Sequence, residues 1–148
     1  MNKIKNKLVL ITGGSSGIGA STAFEFAKNN AVIAIIGRNE ERLKNVKNSI
    51  IKIGAKCEYF KFDLHKINQI EDLIKKIEDF FSLNISLFIN SAGFGVLGIV
   101  ENIPVNEFKN NMKINFFAPL KIIQCILPKM KKNNDGQIIS LFSGVGKR

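Results

Sequence analysis

A glycine-rich stretch near the N-terminus has the residue types and the spacing to bind a phosphorylated ligand. It reads Thr-Gly-Gly-Ser-Ser-Gly-Ile-Gly over residues 12–19, after an apolar run and before a segment with helical spacing. A turn between a strand and a helix directs backbone N–H groups and the positive end of the helix dipole at an anion. Glycine permits positive φ and leaves no Cβ in the path of a diphosphate. A Gly/Ser loop that only caps a helix is the alternative. The predicted contacts are Gly13, Ser15, Ser16, Gly17, Ile18 and Gly19.

A second apolar run, residues 31–36, ends in Gly37 and Arg38. An acidic residue about 20 positions past the glycines would accept a hydrogen bond from a ribose 2′-hydroxyl, whereas an arginine suits a 2′-phosphate. The guanidinium offers a fork of donors that matches phosphate geometry. Arg38 therefore favours NADP over NAD, and we interpret the neighbouring Glu40 and Glu41 as residues that favour a helix start.

Two more strand ends carry candidate cofactor contacts. Asp63 could accept from an adenine amino group and the Leu64 amide could donate to the ring, although a turn or helix-cap aspartate explains Asp63 equally well. Asn90-Ser91-Ala92-Gly93 places small residues where backbone must pass close to a ribose or a nicotinamide. A tight turn after a buried strand is the alternative. Asn90, Ala92 and Gly93 are the predicted contacts.

Asn115 and Ser143 are the candidate catalytic residues. Asn115 lies in a helical segment among apolar residues, where an asparagine is more often a surface or locally bonded side chain. Ser143 follows the last strand, where a turn is the more usual role because no His or Asp partner arrangement activates it as a nucleophile.

These residues are positioned by five predicted strands that alternate with four predicted helices. We predict strands at 8–11, 31–36, 56–62, 85–89 and 137–141, with helices at 18–29, 40–53, 68–81 and 104–132, the last broken near Pro119. The alternation predicts an α/β fold with a Rossmann-type doubly wound parallel sheet. Ligands bind such sheets beyond the carboxyl ends of the strands, where all the polar clusters above fall. Asn39 is the expected N-cap of the second helix.

Composition limits the other classes of function. The 148 residues fit a single domain, residues 1–148, and the net charge is +10. Because the lysines are scattered, we interpret them as solvated surface with some attraction for a phosphorylated cofactor, and we expect no nucleic-acid partner. The two cysteines suggest neither a metal site nor a disulfide framework. No window has the length of a membrane span, so a soluble cytoplasmic protein is expected.

The motifs together resemble those of the short-chain dehydrogenase/reductase family along essentially the whole chain. Thr-Gly-x-x-x-Gly-x-Gly at 12–19, Asp63-Leu64 and Asn90-Ser91-Ala92-Gly93 occur in the family's order, with Ser91 in place of an asparagine. The resemblance implies that Asn115 holds a catalytic water and lysine in place. It also implies that Ser143 orients the substrate, with Phe142 where a small residue is more usual. A homo-oligomer is implied where the full family architecture is present.

One departure concerns the catalytic acid. The family uses Tyr-x-x-x-Lys on the next helix, roughly a dozen residues past Ser143, and Arg148 is the last residue given. The one tyrosine, Tyr59, has Asp63 four residues on. We therefore expect this catalytic pair, and the family's remaining strands and helices, to lie outside the sequence.

The leading hypothesis is an NADP-dependent oxidoreductase that transfers hydride between nicotinamide and a small-molecule carbonyl or alcohol, for example a 3-oxoacyl ketone. One alternative is a non-catalytic nucleotide-binding module that needs a complementary chain. The other is a truncated gene product without a selected function.

Overall fold

The computed structural model describes residues 4–142, which form five strands and five α-helices. The strands are β1 (Leu8–Thr12), β2 (Val32–Gly37), β3 (Cys57–Lys61), β4 (Ile85–Asn90) and β5 (Gln137–Ser140). The helices are α1 (Gly17–Lys28), α2 (Glu40–Lys52), α3 (Ile70–Phe81), α4 (Val105–Met112) and α5 (Ala118–Lys132). A π-helical turn, Lys113–Phe117, joins α4 to α5. Every predicted strand and helix is confirmed to within two residues at its ends, with the last helix divided by the π turn.

The five strands form one parallel sheet in the order β3-β2-β1-β4-β5. This is the Rossmann-type doubly wound arrangement that the alternation predicts. The chain leaves β1 toward β2 on one side and returns beside β1 as β4 on the other, so the strand order reverses between β1 and β4. Thr12 and Asn90 are register partners at the carboxyl ends of these two strands. The crevice that a ligand would use therefore lies above this pair.

Helices cover both faces of the sheet. Alternate residues of β1 belong to different cores because successive side chains of a strand point to opposite faces. Leu8 and Leu10 pack with α3 and α5, whereas Val9 and Ile11 pack with α1 and α2. All five residues of β1 are fully buried, which explains why the central strand is a continuous apolar run.

Local signals set the helix ends near the carboxyl edge of the sheet. The Asn39 side chain accepts a hydrogen bond from the Arg42 N–H at 2.9 Å, which confirms the predicted N-cap of α2.

Within residues 4–142, none of the helices combines the length and the apolar character needed to span a lipid bilayer.

The break expected near Pro119 takes a different form. The chain stays helical from Val105 to Lys132, and the irregularity is the π turn that ends at Phe117. Proline lacks the N–H that would bond four residues back, and its ring crowds that carbonyl, here that of Asn115. The helix therefore widens before Pro119 instead of ending there, and Asn115 lies in the widened turn.

Candidate functional site

A cleft of about 380 Å³ opens at the carboxyl ends of the strands. Residues that follow β1, β2, β3 and β4 line it, so four separate strand ends contribute to one site. Its volume falls in the range of small-molecule and cofactor sites. The predicted cofactor residues that line it are Gly13, Ser15, Ser16, Ile18, Arg38, Asp63, Leu64, Ala92 and Gly93. Gly17, Gly19 and Asn90 do not line it, although they were predicted with the others.

The glycine turn after β1 is packed directly against the loop after β4. Gly13 has φ of +69°, and a Cβ there would lie 2.9 Å from the backbone nitrogen of Ala92. A Cβ on Gly14 would lie 2.7 Å from the side chain of Ile35. Both distances are shorter than real Cβ contacts, so only glycine permits this approach. The two loops therefore form one continuous wall of the cleft.

Gly17 and Gly19 serve the helix start in different ways. Gly17 has φ of +54°, and a Cβ added to it would have nothing within 4 Å, so its requirement is conformational. Gly19 has no positive φ, and its requirement for glycine is steric. A Cβ there would lie 2.4 Å from the Gly13 oxygen. Among the described residues, no side chain caps the first turn of α1. The N-terminus of α1 is thus a candidate anion site at the cleft.

Thr12 links the two loops and was absent from the predicted site residues. Its buried hydroxyl donates to Asn90 Oδ1 at 3.1 Å and accepts from the N–H groups of Ser91 and Ala92 at 3.2 and 3.3 Å. Asn90 is itself buried, so it supports the loop from below and does not reach the cleft. Thr12 belongs to the glycine motif, which is the signal that could have indicated it. Its hydrogen-bond partners, however, lie 78 to 80 positions away and meet it only because β1 pairs with β4.

Arg38 lies exposed at the end of β2, on the rim of the cleft. No carboxylate in the part of the chain that the structure describes forms an ion pair with it. Gly37, just before it, lets the two strand ends approach, since a Cβ there would lie 3.3 Å from the Ser15 Cβ. Arg38 and the α1 N-terminus therefore offer positive charge to the same cleft.

Asp63 forms a turn, the alternative role that the sequence allowed, and its side chain also lines the cleft. Its Oδ1 accepts from the His65 N–H at 3.1 Å, a turn bond, and lies 2.8 Å from His65 Nδ1. Burial would raise the pKa of Asp63, but these bonds and the charges of His65 and Arg38 outweigh it and lower the pKa. The ionised carboxyl still lines the cleft with 41% of its side chain exposed. His65 lines the cleft beside it.

Asn115 holds a wall of the cleft. Its Oδ1 accepts from the Phe94 N–H at 3.2 Å, and its Nδ2 donates to the Phe94 carbonyl at 2.8 Å. Asn111, one helical turn earlier, donates to the same carbonyl at 2.6 Å. Asn111 was not predicted, and only its spacing of four residues from Asn115 could have indicated it. Ser143, the other predicted catalytic residue, lies outside the described residues.

The cleft as a whole suits a ligand with both phosphate and flat apolar parts. Positive charge comes from Arg38 and the start of α1, while Ile36, Leu64 and Ile114 supply apolar walls. The loops after β1, β2 and β4 are held to one another or to neighbouring helices by the contacts above, and the loop after β3 by the turn bonds of Asp63. The site is thus largely preformed.

Known proteins resemble this chain along nearly its whole length. The family model described as short chain dehydrogenase matches residues 7–148. An uncharacterized oxidoreductase of Staphylococcus epidermidis is 30% identical over 99% of this chain and 62% of its own length. A fatty acyl-CoA reductase of Acinetobacter baylyi is 32% identical over 95% of this chain and 48% of its own length. A ketoacyl reductase of Nostoc is 28% identical over 100% of this chain and 51% of its own length. The chain thus spans between about half and two thirds of the length of these relatives.

Solved structures share the fold. A metagenomic short-chain oxidoreductase in complex with NADP superimposes with a TM-score of 0.93 at 24% identity, over 99% of this chain and 66% of that one. An NAD⁺-bound xylitol dehydrogenase gives a TM-score of 0.90 at 24% identity, over 99% and 56%.

Proposed function

We propose that this chain, which belongs to the short-chain dehydrogenase family, forms the cofactor-binding part of an NADP-dependent oxidoreductase. The reaction is hydride transfer between nicotinamide and a small-molecule carbonyl or alcohol. The observation that carries the proposal is the single cleft in which the uncapped start of α1, the Gly13 turn and Arg38 meet. An anion site, a close backbone approach and a cation are the three features that a phosphorylated dinucleotide requires.

The residues present fit such a cofactor. The turn from Gly13 to Ile18 would bind the diphosphate, and the ionised Asp63 and the Leu64 amide would bind the adenine. Ala92 and Gly93 would pass close to the ribose and nicotinamide. A Cβ on Gly93 would lie 3.1 Å from Asn115 Oδ1, so glycine lets this loop approach the helix. The nicotinamide supplies or accepts the hydride. Gly17, Gly19 and Asn90 would act by fixing the loops that make these contacts.

The preference for NADP rests on Arg38. A guanidinium at the end of β2 can bind a 2′-phosphate with two parallel hydrogen bonds. NAD, which has a 2′-hydroxyl there, would gain little from the same side chain.

The proposed substrate class is a ketone on an acyl chain. Support for the ketone comes from the names of two relatives, a ketoacyl reductase and a 3-dehydrosphinganine reductase of Danio rerio. The name of the fatty acyl-CoA reductase supports the acyl chain, since an acyl-CoA is a thioester. Asn115 and Ser143 are the proposed catalytic residues of this chain. Asn115, which bonds to Phe94 in the cleft wall, would hold a catalytic water and lysine in place, and Ser143 would contact the substrate oxygen. These relatives do not favour the alternative of a non-catalytic module.

Reduction of a ketone also needs a general acid near the carbonyl oxygen. Tyr59 does not fill this role in the proposal, since its hydroxyl bonds to Glu40 and it does not line the cleft. We further propose a location in the cytoplasm, and a homo-oligomer where the full family architecture is present. The free Cys57 and Cys125 suit a reducing compartment.

The test is direct binding of NADPH and NADH to the protein and to Arg38→Met, by calorimetry. We expect the wild type to favour NADPH. Arg38→Met should weaken the binding of NADPH about tenfold or more, since a hydrogen bond to a charged group contributes roughly 1.5–3 kcal/mol. The binding of NADH should change little. Arg42→Met, which removes an exposed arginine from the next helix, is the control. Equal affinities in the wild type, or equal losses for both cofactors, would refute the NADP assignment.

A further inference from the structure

A charged cluster lies beside the Arg38 rim of the cleft and is centred on Glu40. Glu40 Oε1 accepts from the Tyr59 hydroxyl and lies near Lys44 Nζ, both at 3.2 Å. Its Oε2 accepts from Lys61 Nζ, also at 3.2 Å. Lys61 ends β3 as the register partner of Gly37, the residue before Arg38. Both oxygens of Glu40 are therefore engaged, on the side of α2 that faces β3.

Glu40 is the acidic residue that could oppose binding of a 2′-phosphate. It lies two residues after Arg38, and a carboxylate at this end of β2 can accept from a ribose 2′-hydroxyl and repels a phosphate. In the structure Glu40 does not line the cleft, whereas Arg38 does. The pKa of Glu40 is lowered, first by the hydrogen bond from Lys61 and then by Lys44, so the side chain is an anion balanced by these two cations.

The three donors are not equivalent. Lys44 lies on the same helix as Glu40, four residues on, and would move with it. Tyr59 is an uncharged donor. Lys61 alone is both charged and fixed to a different element, the edge strand β3. Glu41 follows Glu40 by about 100° around the helix and so faces a different direction.

We propose that Lys61 determines cofactor specificity by holding Glu40 on β3, away from the ribose, so that Arg38 is left to bind a 2′-phosphate. The inference rests on the proposed function, because it assumes that the cleft binds a nicotinamide dinucleotide. Lys61 is a positioning residue that acts through Glu40. The competing explanation is that the positive charge of Lys61 attracts the 2′-phosphate directly, without Glu40. The experiment must distinguish these two explanations.

A double-mutant cycle separates the two. The dissociation constants of NADPH and NADH are measured at low ionic strength for the wild type, Lys61→Met, Glu40→Gln and the double variant. Because exposed ion pairs are weak, we expect Lys61→Met to lower the preference for NADPH about three- to fivefold. In the Glu40→Gln background the same substitution should change it by less than about 1.5-fold. Lys56→Met, at the exposed position before β3, removes the same charge far from Glu40 and should have no effect.

Each outcome decides between the explanations. Equal losses with and without Glu40 would mean that Lys61 acts directly on the phosphate, and an unchanged preference in Lys61→Met would mean that it has no role. Either result overturns this inference while a dependence on Arg38 keeps the proposed function. A wild type without preference for NADPH removes both. Circular dichroism is the control that checks whether the variants remain folded, which we expect because all the substituted side chains are partly or fully exposed.

Discussion

The side-chain amide of Asn115 and the main chain of Phe94 bond to each other in both directions. The bond lengths are 3.2 Å from the Phe94 N–H and 2.8 Å to the Phe94 carbonyl, and Asn111 adds a third bond to that carbonyl. Phe94 lines the cleft, so the shape of this wall depends on two asparagines of the helix.

We expect Asn115→Ala to free the loop at Phe94. The Phe94 amide should exchange its hydrogen about fivefold faster, because a lost hydrogen bond is typically worth roughly 1 kcal/mol. Asn111→Ala should have a smaller effect, since Asn115 retains both of its bonds. NMR-detected exchange measures this, with the exposed Asn106→Ala as the control. Equal exchange in Asn115→Ala and wild type would contradict the arrangement.

Thr12 should tolerate serine but not valine. Thr12→Val removes the hydroxyl that serves two N–H groups and Asn90, and buried donors left unsatisfied cost about 1–3 kcal/mol. Thr12→Ser keeps the oxygen and loses only a methyl group. Urea denaturation measures the free energy of unfolding of each variant. If the serine variant were as unstable as the valine variant, packing and not hydrogen bonding would explain the residue.

Gly19 should be far less tolerant of alanine than Gly95. A Cβ on Gly19 would lie 2.4 Å from the Gly13 oxygen, and a backbone atom cannot rotate away as a side chain can. We expect Gly19→Ala to destabilise the fold by about 1–3 kcal/mol and to weaken NADPH binding. Gly95 has nothing within 4 Å of a Cβ and no positive φ, so Gly95→Ala should change stability by less than about 0.5 kcal/mol. Thermal unfolding and calorimetric titration of both variants test the contrast.

Lys129 should matter more for stability than its neighbours on α5. It bonds to Glu78, which is only 6% exposed and also accepts from the Ile85 N–H at 3.1 Å. Lys129→Met leaves a buried carboxylate without its cation, although half of the lysine side chain is solvated, so we expect a loss of about 1–3 kcal/mol. Adding Glu78→Gln should restore part of it. Lys131→Met, at an exposed position, is the control, and equal losses for both lysines would contradict the assignment.

The Lys7–Asp135 ion pair should give a pH-dependent contribution to stability. The hydrogen bond from Lys7 lowers the pKa of Asp135 in the folded protein. A carboxyl with a lowered folded-state pKa stabilises the fold above its unfolded pKa of about 3.9, and this contribution is lost as the pH falls below that value. The stability difference between wild type and Asp135→Asn should therefore shrink from pH 7 to pH 3. A difference that stays constant would show that the charge of Asp135 is irrelevant.

The strands and helices could be predicted because their signals are local. Continuous apolar runs such as 8–11 mark strands buried on both faces, and Asn39 caps the helix that follows it. The π turn was not predictable in form, since Pro119 signals an irregularity but not how neighbouring turns accommodate it.

The contacts of Thr12 and Asn111 could not be predicted for another reason. Their partners lie 17 to 80 positions away and meet them only after the strands pair and α4 packs beside the β4 loop.

The cleft residues were predicted better than their contacts. Nine of the twelve predicted cofactor residues line one cleft because parallel strands end at the same edge of the sheet. Gly17, Gly19 and Asn90 share the motifs but do not line the cleft: Gly19 and Asn90 are buried, and Gly17 is exposed beside it. A motif does not distinguish a residue that touches a ligand from one that shapes the loop.

The reversal of strand order between β1 and β4 also bears on how the chain assembles. Strands β1, β2 and β3 are neighbours both in sequence and in space, whereas β4 must join β1 across a loop of more than 70 residues. Closing that loop carries the larger entropic cost and contributes most to the contact order. A ligand bound in the cleft would touch loops of both halves and would therefore stabilise the β1–β4 pairing. At a concentration one hundred times its dissociation constant it would add about 2.7 kcal/mol to the apparent stability.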